Sequence, residues 1–203
     1  MNEIKTSLTL LDALRQQDSL AWNRFVHLYS PLMRFWIRRS GIPANESDDL
    51  LQELLMTVSG KIEAFDYVAE QRSSLRAWIW GILRNKLHEH WRQQDRHVAS
   101  PGGSAALATL MQLPAVPFED SDPALKSQVQ GDLVRRAIEI IRSDFQPQTW
   151  QAFEQTVMHG RPSIDVAAEM GLSTAAIRQG RFRVLRRLRD ELGDDFPERV
   201  PQG

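Results

Sequence analysis

The densest positive charge in the chain lies between Thr174 and Arg189. Six arginines and no acidic residue fall in this stretch, a local charge of +6, although the whole chain carries −1. Guanidinium groups bind phosphate oxygens and the edge of guanine, so a row of them without opposing acids is typical of a surface that contacts DNA. A solvated, arginine-rich helix within a bundle is the alternative that charge alone leaves open.

The residues before this run have the spacing of a helix-turn-helix. Ala167 is small enough to let two helices cross closely, and Gly171 can adopt the left-handed conformation that ends the first helix. Ser173 can cap the second helix, and Ile177 can occupy the core between the two. This pattern predicts that the second helix enters DNA, with its first residues at base edges and its later arginines at phosphates.

A second basic stretch, from Arg72 to His97, alternates positive residues with aromatic ones. Six Lys and Arg stand against two acids there. Such a surface can hold backbone phosphates and stack on unpaired bases. Asn85 can bond a base or solvent, and Trp80 and Trp91 can lie at the surface or in the core.

No pattern in the sequence indicates catalysis. The chain has no cysteine, which excludes a disulfide framework, a thiolate zinc site and a cysteine nucleophile, and suits a reducing cytosol. His88 and His90 point to different faces of a helix and have no third ligand. The sequence therefore predicts a protein that is not an enzyme and that needs no metal or other cofactor.

Apolar residues recur at spacings of three and four, which predicts an all-α fold of two small helical domains. The first helix begins near Ser7 or Asp18. The others are expected at Pro31–Arg39, from a cap at Asn45, at Leu75–Gln94 with a core stripe of Trp78, Ile82 and Leu83, at Ala124–Phe145 and at Thr149–His159.

Residues 98–123 differ in composition from the rest, with four prolines and two glycines. We expect a flexible linker there, between a first domain at 1–97 and a second at 124–203. The N-terminus lacks the design of a signal peptide, and no apolar run approaches the roughly 20 residues that span a bilayer. The expected location is therefore the cytoplasm.

Taken in order, these motifs resemble the extracytoplasmic-function (ECF) sigma factors of bacterial RNA polymerase. The stretch Asp48-Asp49-Leu-Leu-Gln52-Glu53 resembles the family's D-D-x-x-Q-E/D element. The run from Trp78 to Asn85, with Arg92, is similar to the W-L-x-x-I-x-x-N…R stretch that contacts the −10 promoter element. The helix-turn-helix resembles the family's domain for the −35 element.

The resemblance implies a role for each motif. The residues that would face core RNA polymerase are Asp48, Asp49, Gln52 and Glu53. Those that would contact the −10 element, together with the loop Asp66–Ser74, are Arg72, Arg76, Trp80, Arg84, Asn85 and Arg92. Those that would contact the −35 element are Ser173, Thr174, Arg178, Gln179, Arg181, Arg183 and Arg186. The implied partners are core polymerase and promoter DNA, and the family often has an anti-sigma protein, which this chain does not encode.

Other interpretations stay open at this point. Asp48 and Asp49 would also be favourable simply as negative charges near a helix N-terminus. A helix-turn-helix repressor or activator would act without polymerase, and a helical adaptor would use its basic helix on an acidic protein. The loop Tyr67-Val-Ala-Glu-Gln-Arg72 departs from the family's commoner Phe-Arg-Gly pattern, and Glu89 stands where the family often has Asp.

Overall fold

The computed structural model of the protein describes residues 9–65, 74–97 and 113–197. These residues form eight α-helices and contain no strand. The predicted all-α fold is therefore confirmed for the described part of the chain. Within it, no helix is both long and apolar enough to cross a membrane.

The helices gather into two compact units. The central unit contains the described residues from Phe25 to Ser127. The terminal unit contains the described residues up to Arg24 and those from Gln128 onward. The domain boundaries that composition predicted, at residues 97 and 124, differ from these. Composition does not indicate that the first helix packs with the last ones.

The central unit is built from α2 (Ser19–Arg39, from Phe25 onward), α3 (Ala44–Lys61) and α4 (Leu75–His97). Each helix turns an apolar stripe inward, and burying such a side chain stabilises the fold by roughly 1.5–3 kcal/mol. The wholly buried side chains of this core are Phe25, Leu28, Met33, Trp36, Ile37, Leu54, Val58, Ile79, Leu83 and Leu87.

Helix α2 runs without a break through Pro31, so the predicted helix boundary there was wrong. Proline removes one backbone donor. Pro31 is exposed, however, while Leu28 and Leu32 are buried, and the packing of that buried face keeps the helix continuous. At its start, Asp18 Oδ1 accepts a hydrogen bond from the N–H of Ala21 at 3.0 Å and caps the helix, near one of the two starts that the sequence predicted.

Helix α3 begins one residue before the cap that we expected. Pro43 occupies the cap position, in an extended conformation with ψ 149°, and makes no side-chain cap bond. Asn45 therefore lies in the first turn and is not the cap. The Ser47 hydroxyl donates to the Pro43 carbonyl at 3.0 Å, which ties that turn together.

Helix α4 buries only one residue of the predicted stripe, Leu83. Trp78 and Ile82 are only half-buried, and the Trp78 ring lies against Phe65 with 5.0 Å between centroids. The residues that face the core are Ile79, Trp80, Leu83 and Leu87. Compared with the predicted stripe, the buried face of α4 includes Trp80 because a segment that follows α4 in the chain covers that side of the helix.

That segment is residues 113–122, which we call the strap. It was predicted to be part of a flexible linker, but it packs on the central unit, with Glu119 wholly buried and Pro117 buried. The prediction was wrong for these residues because prolines have no N–H to satisfy, so a proline-rich segment can lie on a core without leaving orphan donors. Residues 98–112 lie outside the described part of the chain.

The terminal unit contains α1 (Leu10–Arg15), α5 (Pro123–Ile141, from Gln128 onward), α6 (Pro147–Phe153), α7 (Ser163–Met170) and α8 (Thr174–Leu192). Helix α8 packs on both α6 and α7. The expected helix Thr149–His159 starts earlier and changes form at Glu154–Met158, where a single π turn follows α6. There the Thr156 hydroxyl donates to the Ala152 carbonyl at 2.7 Å.

Candidate nucleic-acid and protein-docking surfaces

The turn between α7 and α8 has the geometry that the sequence predicted. Gly171 ends α7 with φ 66° and ψ 30°, a left-handed conformation that costs glycine least. Its N–H and the N–H of Leu172 both donate to the Ala167 carbonyl. These bonds satisfy the Ala167 carbonyl, in the last turn of α7, and turn the chain sharply into α8.

The two helices of the motif are locked by a cap and a small core. The Ser173 hydroxyl oxygen accepts a hydrogen bond from the N–H of Ala176 at 3.1 Å. Ile177 is wholly buried in a cluster with Ala152, Val166 and Ala167. The predicted helix-turn-helix geometry is confirmed, and Ser173, expected as a DNA residue, is first of all the cap of α8.

One face of α8 presents cationic and polar side chains to solvent. Thr174 is half-buried at the start of the helix, and the Arg183 guanidinium lies 3.5 Å from the Thr149 hydroxyl. The exposed members of the predicted −35 set are Ser173, Arg178, Gln179, Arg181, Arg183 and Arg186. A protein surface with this chemistry can bind phosphates and hydrogen-bond base edges.

Arg187, in the same run, turns inward instead. Its Nη1 donates to Glu191 at 2.6 Å and its Nε to Asp144 at 2.9 Å, while buried Glu191 also lies 3.1 Å from Arg24. Burial lowers the pKa of Arg187, but the hydrogen bonds and charges of Glu191 and Asp144 outweigh it and raise that pKa. The local charge of +6 therefore overstates what α8 offers to a ligand.

Two residues expected at the −10 element lie inside the protein. Arg76 is 5% and Trp80 1% exposed. Arg76 Nη1 donates to Glu119 Oε1 at 2.9 Å, and Trp80 Nε1 donates to the Pro114 carbonyl at 3.1 Å. The expectation that these two side chains contact DNA is corrected, because the strap covers both of them.

The remaining −10 candidates lie farther along α4. Asn85 and Arg92 are exposed and, at a spacing of seven residues, share one face of the helix. Arg84 is half-buried beside them. Arg72 and nearly all of the loop Asp66–Ser74 lie outside the described residues.

The acidic motif of α3 points away from the core of the central unit. Asp48, Asp49, Gln52 and Glu53 are all exposed, whereas the leucines between them are buried. Asp48 is paired with Arg34, with 2.9 Å between Oδ1 and Nη2, and Glu53 Oε2 lies 3.4 Å from Lys86 Nζ. The face is thus accessible and part of its charge is balanced within the unit.

Sequence reasoning missed Glu119, which connects the strap to two helices. It lies in the segment that was predicted to be a linker, and no periodicity in a proline-rich segment distinguishes a buried acid from exposed ones. The signal that could have found it is the neighbouring Phe118, an aromatic residue inside an apparent linker. Among the described residues, no group of His, Cys, Asp or Glu is arranged to hold a metal ion.

Comparison with known proteins gives matches to little more than a third of the chain. Residues 25–97 match the family described as Sigma-70 region 2. A protein named ECF RNA polymerase sigma factor EcfG, from Rhodopseudomonas palustris (strain TIE-1), is 37% identical over 75 residues, which cover 37% of this chain and 39% of that protein. The match thus spans about two fifths of that relative's length.

No solved structure gives a significant match to the chain. The family match coincides with the central unit from Phe25 through α4, and it contains both the acidic motif and the Asn85 motif. The comparisons support the resemblance over this region: residues 25–97 are similar to Sigma-70 region 2, and 75 residues of the chain are 37% identical to an ECF sigma factor.

Proposed function

We propose that the protein is a sigma factor, which directs RNA polymerase to promoters and helps to separate the DNA strands. The observation that carries this proposal is the pairing, in one chain, of a Sigma-70 region 2 domain with a capped helix-turn-helix whose arginine face is exposed. A repressor or activator that works without polymerase has no obvious use for the exposed acidic face of α3. Because its proposed partner is bacterial RNA polymerase, we place the protein in the cytoplasm.

Docking on core polymerase is assigned to the exposed face of α3. Asp49, Gln52 and Glu53 lie at spacings of three and four, so their side chains share one face. Asp48 contributes less, since Arg34 already balances its charge. A surface of carboxylates around an amide suits a basic partner helix, and electrostatic attraction would speed the encounter.

Capture of the −10 strand is assigned to the outer face of α4. Asn85 can hydrogen-bond the edge of a base that has left the stack, while Arg92 and Arg84 can hold its phosphates. No covalent chemistry is required. Binding to the captured base would stabilise the opened strand and so favour melting of the duplex.

Recognition of the −35 duplex is assigned to α8. Arg178, Gln179 and Arg181 lie in its first two turns, where a recognition helix meets base edges in the major groove. Arg183 and Arg186 follow and are placed on phosphates. Each unit offers few phosphate contacts, so we expect weak DNA binding without polymerase and a steep fall of affinity with salt.

The experiment mixes the purified chain with core RNA polymerase and selects DNA sites from a random pool. Recovery of a two-part promoter, with transcripts that depend on the chain, supports the proposal. Binding of duplex DNA without polymerase would instead identify a repressor or activator. Binding to neither polymerase nor DNA would identify an adaptor and refute the proposal.

The docking surface is tested by Asp49→Ala with Gln52→Ala, measured as the affinity for core polymerase. We expect weaker association and an unchanged melting temperature, because both side chains are exposed and make no contact with the core of the unit. Asn45→Ala, at an exposed site on the same helix, is the matched control. Equal affinity of the double variant and this control would contradict the docking role.

A further inference from the structure

The strap is attached to the central unit by a buried polar cluster. Glu119, wholly buried, accepts a hydrogen bond from Trp36 Nε1 on α2 at 2.8 Å and another from Arg76 Nη1 on α4 at 2.9 Å. Arg76 Nη2 lies 3.9 Å from Asp120. One carboxylate thus connects two helices that are far apart from it in sequence.

Aromatic contacts extend this attachment along the strap. The Phe118 ring packs on Trp80 with 5.0 Å between centroids, and Trp80 packs on Trp36 at 5.6 Å, both edge to face. The Arg39 guanidinium lies 5.3 Å from the Phe118 centroid. The strap therefore holds the first turns of α4 through Arg76 and Trp80, which lie one turn apart on the same face.

The other side of α4 is held differently. Lys86 Nζ lies 3.4 Å from Glu53, and His90 Nε2 lies 3.3 Å from Glu46, both on α3. These four side chains are partly exposed, and polar contacts at an exposed site hold geometry weakly because solvent competes for them. The pair of Arg76 and Glu119 is buried, and breaking it would leave an uncompensated charge inside the protein. The strap therefore restrains α4 more firmly than the exposed contacts with α3 do.

We propose that Glu119 is a positioning residue for strand capture, which rests on the proposed sigma function. A helix is rigid about its axis, so fixing Arg76 and Trp80 on the inner side fixes the direction in which Asn85 and Arg92 point. Glu119 sets that rotation without touching DNA. The strap belongs to the −10 binding unit in function as well as in packing.

The test uses the full chain carrying Glu119→Gln, assembled with core polymerase. The probe is a single-stranded oligonucleotide with the −10 sequence recovered by the site selection. Glutamine keeps the shape of the side chain but loses the charge that balances Arg76. Asp120→Asn is the matched control, because it removes a neighbouring carboxylate that is 3.9 Å from Arg76 and 25% exposed.

We expect Glu119→Gln to weaken capture of this oligonucleotide by about tenfold, because a displaced Asn85 loses its contact with the edge of a base. The control should bind nearly as the wild type does. Affinity for core polymerase and for −35 duplex should not change, which a general loss of folding would not permit. All measurements are made below the melting temperature of each variant.

Trp36→Phe is the second variant and serves if Glu119→Gln does not fold. It removes the Nε1 donor to Glu119 and also part of a buried ring that packs on Trp80, and it should give a loss in the same direction. Wild-type or improved capture by a folded variant would overturn the positioning role. If wild-type holoenzyme captures no promoter strand, the sigma function itself fails; if it does and the folded variants match it, only this inference fails.

Discussion

Two basic helices with similar composition behave in opposite ways in this protein. Helix α8 exposes most of its arginines, whereas α4 buries Arg76 and Trp80, which looked like a DNA-binding pair. The difference comes from what surrounds each helix. Helix α8 packs on α6 and α7 and keeps a solvent face, while α4 is contacted by α3 and also by the strap.

The contrast shows that the number of charges on a helix does not tell which of them face solvent. On α8, the buried positions Ile177, Val184 and Leu188 define the inner face, and most of the arginines fall outside it. On α4, Ile79, Leu83 and Leu87 define the inner face, and Arg76 lies on it beside the buried carboxylate of Glu119. Whether a basic side chain faces solvent or the core therefore depends on whether a buried acceptor lies within its reach.

The largest expected difference between the two helices is in stability. Arg76→Ala leaves Glu119 buried with only the Trp36 donor described above, so we expect the central unit to lose about 3–5 kcal/mol of unfolding free energy. Arg178→Ala removes an exposed side chain and should change stability by no more than about 0.5 kcal/mol. Hydrogen exchange of α4 and α8 amides, read residue by residue, separates the two units.

A loss of stability in α4 below about 1 kcal/mol would mean that the Arg76 contact is replaceable by solvent, as for surface pairs. The double variant Arg76→Met with Glu119→Met is the control. It removes both charges while keeping bulk, and such replacements of buried pairs are often neutral or stabilising. It should therefore recover most of the loss.

The second expected difference is in recognition of the promoter's base sequence. Arg178→Ala should cost about 1–3 kcal/mol of promoter binding, confined to one base pair of the −35 element, because a base-edge contact discriminates between bases. The measurement is holoenzyme affinity across a panel of single-base promoter variants. An equal loss on every variant would make Arg178 a phosphate contact and would shift base reading to its neighbours.

The same contrast explains which features of the protein could be predicted from the sequence. The helix-turn-helix was predictable residue by residue, because Ala167, Gly171 and Ser173 act through local backbone geometry and Ile177 through a contact nearby in sequence. The exposed acidic face of α3 was also predictable from its periodicity.

The strap was not predictable, because Glu119 meets Trp36 and Arg76 across 83 and 43 residues of sequence. Composition describes a proline-rich segment but does not say whether a core lies within its reach. The helix boundary predicted at Pro31 was wrong for a related reason. Packing of the buried face of the helix outweighed the low helix propensity of proline.

The third prediction concerns the cap of α8. Ser173→Ala removes the acceptor for the Ala176 N–H, which should cost the terminal unit about 1 kcal/mol. Ser173→Asn is the control, since asparagine also caps well and adds no charge that would repel phosphates, and it should retain wild-type stability. Promoter affinity should follow stability in both variants if Ser173 acts as a cap. Weaker DNA binding by the stable asparagine variant would indicate a direct contact of the hydroxyl with the −35 duplex.

The smallest expected effect is on the salt dependence of binding, and it tests whether each helix binds duplex or single-stranded DNA. Arg186→Ala should weaken binding of the duplex promoter uniformly and reduce the slope of log affinity against log salt by about 0.9, the value for one phosphate of a duplex. Arg92→Ala should reduce the slope by about 0.7, the value for a single strand, and should do so equally on a single-stranded −10 oligonucleotide.

Arg186→Ala should leave the affinity for that oligonucleotide unchanged, because α8 meets only paired DNA in the proposed arrangement. Binding of the wild type and both variants to the two probes, measured across a salt series, therefore assigns each helix to its own DNA. If Arg186→Ala weakened capture of the single strand as much as Arg92→Ala does, the division of labour between α4 and α8 would be wrong. Both helices would then serve one continuous nucleic-acid surface, and the difference in burial between them would concern folding alone.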